Sequence, residues 1–431
     1  MAKLAINGGS PVREKLFPAY NTITEAEKKA ALEVLDSGNL SQFLGCWHPD
    51  FFGGPKVLEF EKKWSETFGT LHTISVNSNT SGLFAAIGAA GVGPGDEVIV
   101  SPYTMSASAI APVVYGAVPV FADIQEDIFC MDPASIEACI TPRTKAILVV
   151  HIFGHSADMD PIMELARKHG LVVIEDCAQV PLAEYKGRLL GSIGDMGIFS
   201  LNYHKHIHTG EGGMITTNSD FYAERLQLIR NHAEVSLAPK GVADLRNMWG
   251  FNYRLTEIQA AIGITQLDRL DEYINQRIAN CEYISKALGA FPALTLPLVM
   301  NGCKHVYYVH AVKFDASVAG VSRDSFVEAV AAELPTAELR ESTGKLIGVG
   351  YTEPLYLQPI YTRREGTMCS FNCPRYEGRV SYEKGICPVA ERMHYDELFT
   401  HEYMRPPMTR EDLHDVVRAF DKVFENLDEL R

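Results

Sequence analysis

The sequence predicts an α/β fold, with a large domain built on a mostly parallel sheet flanked by helices and a smaller α+β domain at the C-terminal end. Three observations carry this. Between residues 70 and 235, short Val- and Ile-rich runs alternate with amphipathic helical stretches, the pattern of a sheet covered on both faces. Helical periodicity then returns over 256–267 and 270–287. Beyond a cluster of Pro292, Pro297 and Gly302, the pattern shifts to a strand over 306–314 and a closing helix over 410–427.

The elements follow in order. Residues 24–35 have helical spacing, with Thr24 at the N-cap position and Ser37-Gly38 ending the run. Residues 41–55 are aromatic and glycine-bearing and read as an ordered, pocket-lining loop. Strands are expected at 72–76, 97–100, 118–122, 146–151, 172–175 and 197–201, with helices at 81–90, 106–115 and 161–169 between them. The division is residues 1–60 as a helix and loops packing on both domains, 61–285 as the large domain, and 286–431 as the small one. Ligands of such sheets sit at the carboxyl ends of the strands, so functional residues belong just after them.

Composition narrows the function class. The 431 residues are 46% hydrophobic and 22% charged, as in ordinary globular enzymes. With 39 Lys and Arg against 54 Asp and Glu, the net charge of -15 argues against a nucleic-acid partner, which needs a basic footprint. No apolar run reaches membrane-spanning length, and the first residues lack a hydrophobic leader, so the expectation is a cytoplasmic enzyme with no membrane partner. The 9 cysteines lack paired metal spacing; Cys369 and Cys373 are the nearest pair and nothing completes a zinc set.

Three segments carry chemistry. Val76 to Leu83 follows a strand and opens a helix with small hydroxyl residues, which reads either as a phosphate cradle or as plain N-capping by Thr80 or Ser81. Glu175-Asp176 closes a buried strand, where a carboxylate needs a partner; Asp176 can face a protonated ring nitrogen or cap a helix. Lys205 sits between a strand end and the turn Thr209 to Gly213, where it is either a Schiff-base amine or a solvated surface lysine. Ser200 can add a phosphate donor. The alternating His204, His206 and His208 raise a metal reading, set aside because no carboxylate ligands accompany them; no metal is expected. The run Gly88-x-x-Gly91-x-Gly93 follows a helix and precedes a strand, the reverse of a dinucleotide fingerprint.

A phosphate cradle, an acid for a ring nitrogen and a Schiff-base lysine together are what pyridoxal 5'-phosphate requires. At these residues, and at Gly250 to Ala261, the chain resembles the DegT/DnrJ/StrS family of sugar aminotransferases over nearly its whole length. The resemblance implies the fold type I architecture, with a seven-stranded, mostly parallel sheet. It implies Lys205 as the Schiff-base lysine, Asp176 at the pyridine nitrogen and Gln179 by the ring's hydroxyl edge. Thr80, Ser81 and Ser200 would contact the phosphate, and Asn252 would reach it from a neighbouring subunit, making a homodimer with shared active sites.

The same resemblance implies pyridoxal 5'-phosphate as cofactor and glutamate or glutamine as amino donor. The acceptor is a nucleotide-linked keto sugar, or alternatively a keto-cyclitol such as an inosose. Two further alternatives are a sugar dehydratase, in which histidine replaces the lysine, and a non-catalytic regulator, in which the lysine or aspartate is lost. Lys205 and Asp176 are both present. Three departures stand out: Met105 where the family stacks an aromatic ring, Val180-Pro181-Leu182-Ala183 after Gln179, and Tyr308 where relatives carry histidine. The loop 43–52 and residues 353–405, with Tyr356, Tyr361, Arg363, Arg364 and His394, are expected to shape the acceptor pocket.

Overall fold

The computed structural model describes residues 3–339, 344–364 and 374–431. Seven strands, β1 (His72–Val76), β2 (Glu97–Val100), β3 (Val118–Phe121), β4 (Thr144–Val150), β5 (Val172–Asp176), β6 (Met196–Ser200) and β7 (Gly213–Thr217), form one sheet in the order β1-β7-β6-β5-β4-β2-β3. The neighbours β2/β3, β2/β4, β4/β5 and β5/β6 are parallel, and β7 alone runs against its two neighbours. Reversal of one strand leaves the carboxyl ends of β1, β5 and β6 on a common edge, where the functional segments lie.

Six strands fall within two residues of expectation; β7 is the addition. Its five residues are all buried, so they show no alternation, and they follow directly on a glycine-rich turn that masks them. The expected strand over 306–314 shortens to His310–Phe314 because its first residues are used otherwise. Val306 and Tyr308 donate their N–H groups to the carbonyls of Gly154 and Phe153, each at 2.9 Å. A Cβ on Gly154 would lie 2.5 Å from the Tyr307 nitrogen, so this clip between domains needs glycine.

Helices cover both faces. α1 (Glu25–Ser37) opens with a full capping box between Thr24 and Glu27. α2 (Pro55–Phe68) stacks Trp64 on Phe68 at 4.8 Å and sets both against Phe199 of β6. α3 (Asn79–Ala89) starts two residues earlier than expected, with Ser78 rather than Thr80 or Ser81 as its cap. α4 (Ser106–Val114) follows Met105.

A second apolar core joins the antiparallel sheet β8 (Leu294–Thr295), β9 (His310–Phe314), β10 (Ile347–Val349) and β11 (Leu398–His401), ordered β8-β9-β11-β10, to the helices Arg323–Glu333 and Arg410–Glu425. Leu4 and Phe17 near the N-terminus and Cys281, Ile284 and Leu288 of the long helix Leu270–Leu288 belong to this core. Residues Leu355, Tyr356, Tyr361 and Tyr382 pack into the first core instead, with the rings of Tyr356 and Tyr361 5.7 and 5.3 Å from Phe121. Cys369 and Cys373 lie outside the described residues, and the described cysteines are unpaired thiols.

Gly197 of β6 illustrates how tightly the sheet is backed: a Cβ there would lie 2.3 Å from the Gly191 Cα and 2.4 Å from its carbonyl oxygen. Backbone cannot yield as a flexible side chain can. Gly197→Ala should therefore cost more than about 4 kcal/mol, read as a large fall in the thermal midpoint or loss of soluble protein.

Candidate active site

The common edge encloses a cleft of about 250 Å³, walled by the β1–α3 turn, the loop before α4, the ends of β4, β5 and β6, and the segment that follows β6. Asp176, the last residue of β5, points into it and is 5% exposed. Its carboxylate accepts from the Ser108 hydroxyl at 2.8 Å, the Ala178 N–H at 3.1 Å and the Asn79 side-chain amide at 3.3 Å. All three donors are neutral, and no ion pair reaches Asp176 among the described residues.

Behind Asp176 lies a second buried acid. Glu175, fully buried on the opposite face of β5, accepts from the Gly191, Ile193 and Gly194 N–H groups at 3.0, 2.9 and 2.7 Å. The His151 Nε2 lies 3.0 Å from it, while the His151 Nδ1 accepts from the Ala157 N–H at 3.1 Å. With Nδ1 accepting, the ring proton sits on Nε2 and is donated to Glu175. Burial alone would push the Glu175 carboxyl up, but His151 and the Gly191 and Gly194 N–H groups outweigh it and hold it below the ordinary 4.5. His151, Glu175 and Cys177 bring ligand atoms within 4.8 Å of one another, the sole such trio among the described residues. The Glu175 and His151 polar atoms already serve this network, and among the described residues His204, His206 and His208 form no such group.

Lys205 is 7% exposed and lines the cleft, its ammonium 4.4 Å from the centre of the Tyr308 ring. No carboxylate pairs with it among the described residues. The wall also holds Ser78, Asn79, Thr80 and Ser200; α3 carries no acidic residue in its first turn, and the Ser78 hydroxyl already accepts from the Ser81 N–H at 3.0 Å. A Cβ on Gly213 would lie 2.8 Å from the Asn79 nitrogen, so only glycine lets β7 run this close beside the turn. The Asn202 side-chain oxygen is buried there with no partner.

Gln179 is oriented by two contacts: its oxygen accepts from the Phe153 N–H at 2.6 Å and its amide donates to the Tyr351 hydroxyl at 3.1 Å. Met105 lines the cleft but is 54% exposed. An outer chamber of about 520 Å³ opens beyond, sharing His204, Tyr308 and Tyr351 with the cleft and adding Tyr20, Tyr203 and Arg405.

Most sequence-predicted residues thus meet at one cleft: Thr80, Met105, Asp176, Gln179, Ser200 and Lys205. Ser81 stands apart, its hydroxyl donating to the Asn77 side chain at 2.6 Å. Asn252 is exposed, and its carbonyl accepts from the Asn77 side chain at 3.3 Å. The loop 43–52 and the residues Tyr356, Tyr361, Arg363, Arg364 and His394 do not line the cleft, whereas Glu402 and Arg405 of the expected 353–405 stretch line the outer chamber. Phe51 and Phe52 pack on Trp47, and the Tyr356 hydroxyl bonds Glu391. Sequence reasoning missed Ser78, Asn79, Ser108 and Tyr351. The first two lie in a segment already singled out; the other two have no motif and become visible only by proximity.

The sequence profile of the DegT/DnrJ/EryC1/StrS aminotransferase family matches residues 22–421. GDP-perosamine synthase of Caulobacter vibrioides is 40% identical over 68% of this chain and 79% of that protein. L-glutamine:2-deoxy-scyllo-inosose aminotransferase of Streptoalloteichus tenebrarius is 33% identical over 99% of both chains. Among solved structures, an aminotransferase from Psychrobacter cryohalolentis superposes with a TM-score of 0.78 at 30% identity, covering 96% of this chain and 100% of that one.

The Glu175 network has a pH signature. Because its folded value lies below the ordinary 4.5, the ionised carboxylate stabilises the fold above that pH and loses this contribution as pH falls through the lower value. Glu175→Gln should cost about 1–3 kcal/mol at pH 7, and its thermal midpoint should fall less steeply than the wild type's as the pH drops below the ordinary carboxyl value of 4.5.

Proposed function

The chain belongs to the DegT/DnrJ/EryC1/StrS aminotransferase family, and on that premise we propose that it uses pyridoxal 5'-phosphate to move an amino group from glutamate or glutamine to the ketone of a nucleotide-linked sugar. One observation carries the reading. A buried carboxylate and a buried ammonium, neither ion-paired among the described residues, open on one cleft beside a helix N-terminus. Unpaired buried charges are costly, and a group bearing a protonated ring nitrogen, an amine-reactive carbon and a phosphate satisfies all three features.

The residues present fit that group. Asp176, met only by neutral donors, would face the ring nitrogen; the α3 N-terminus, Ser78, Thr80 and Ser200 would offer N–H and hydroxyl donors to the phosphate; and Gln179 would stand at the ring's hydroxyl edge. When bound, pyridoxal phosphate supplies an aldehyde that captures amines and a ring that accepts the electron pair left on their α-carbon. Lys205 would hold that group through its Nζ, and the Nζ freed when the donor amine takes its place would move the proton from the donor α-carbon to the carbon that bore the aldehyde oxygen. Tyr308 backs Nζ, and with Tyr351 and Val150 it limits water.

Two relatives support different acceptors. The 40% identity to a GDP-perosamine synthase supports a nucleotide-linked sugar. A second reading, a keto-cyclitol, is supported by a 2-deoxy-scyllo-inosose aminotransferase that matches 99% of both chains. A homodimer is part of the same reading. Exposed Tyr203, Met105, Leu245 and Trp249 offer apolar surface, and exposed Asn252 is free to reach a neighbouring site. No helix among the described residues is long and apolar enough to cross a membrane, and unpaired thiols support a cytoplasmic setting.

Lys205→Ala should lower turnover more than about a thousandfold, since proton transfer and amine exchange both pass through Nζ. Retained turnover would defeat the assignment. An absorbance-monitored acceptor screen, GDP-linked keto-hexose against 2-deoxy-scyllo-inosose, should show one clearly preferred substrate.

A further inference from the structure

Tyr351 occupies the wall shared by the inner cleft and the outer chamber. It comes from the turn after β10, so it belongs to the small sheet and not to the strands that carry Asp176 and Ser200. Its place is fixed from several sides. The ring stands edge-on to Phe153 at 5.1 Å and to Tyr103 at 6.3 Å. The next residue's hydroxyl, on Thr352, donates to the Thr104 carbonyl at 3.1 Å, and the Leu355 N–H donates to the Pro102 carbonyl at 2.8 Å. The segment is thereby tied to the loop that precedes α4 and lines the cleft.

The proton inventory at its hydroxyl is determined by Gln179. The Gln179 oxygen is held by the Phe153 N–H, so the amide must turn its NH₂ toward Tyr351, and the Tyr351 oxygen accepts. The hydroxyl's own hydrogen is left for another acceptor. Burial pushes the phenol up from its ordinary value, so it stays protonated and neutral at working pH. A neutral donor suits an uncharged oxygen, whereas a carboxylate is matched by a guanidinium or an ammonium.

We propose that the Tyr351 hydroxyl is a binding group for the amino acceptor, donating a hydrogen bond to the ketone oxygen or to the ring hydroxyl beside it. The acceptor class is a polyhydroxylated ring, reaching from the inner cleft into the outer chamber. This rests on the aminotransferase reading above.

The test separates the two half-reactions in the holoenzyme, following the absorbance of the bound cofactor. Glutamate or glutamine drives the first, and 2-deoxy-scyllo-inosose or a GDP-linked keto-hexose, tried in turn, drives the second. Tyr351→Phe keeps the ring contacts and removes only the hydroxyl. The rate constant of the acceptor half-reaction divided by that of the donor half-reaction should fall about fivefold or more relative to wild type. An unchanged ratio, whether both halves fall together or neither does, would overturn the proposal, since a structural role through Gln179 would act on both. Wild-type enzyme that reacts with the donor but with neither acceptor would also overturn it. Wild-type enzyme unresponsive to either donor would instead remove the aminotransferase reading beneath it.

Discussion

An ionisable carboxylate at the end of a buried strand, held only by neutral donors, is the constraint around which the cleft is arranged. Asp176 cannot be satisfied by Ser108, Ala178 and Asn79 alone in the way a cation would satisfy it. Its charge is therefore available to a ligand. The parallel run of β5 beside β6 sets Asp176 near Ser200, and the reversal of β7 lets Gly213 close against the Asn79 nitrogen. Those two features bring an acid, the start of α3 and the Lys205 segment to one edge.

Tolerance of such a charge depends on rigidity behind it. Glu175 gathers three N–H groups from the turn at 191–194 and the proton of His151, which is itself fixed by the Ala157 N–H. The neighbouring acid thus spends its whole acceptor capacity on the scaffold, while Asp176 keeps some of its own. Two adjacent carboxylates on one strand serve opposite purposes because successive side chains face opposite sides of the sheet.

Much of this was legible in the chain itself, for identifiable reasons. The alternation of apolar runs and helices gave six strands within two residues, and the placement of Asp176 at a strand end, with Gln179 and Lys205 a few residues past strand ends, followed from parallel-sheet geometry. Strand β7 escaped because a fully buried five-residue strand after glycines has no period to detect. Ser108 and Tyr351 escaped because their roles depend on contacts spanning 68 and 172 residues of sequence. The loop 43–52 looked like a pocket wall because it is aromatic, yet aromatic rings serve packing equally well, and here they pack on each other.

Covalent trapping is the most direct measurement. Borohydride reduction of the protein purified with pyridoxal phosphate, followed by peptide mass spectrometry, should find a phosphopyridoxyl group on Lys205 and on no other lysine. Label on a different lysine, or an unmodified Lys205 in protein that has bound the cofactor, would contradict the assignment of this cleft.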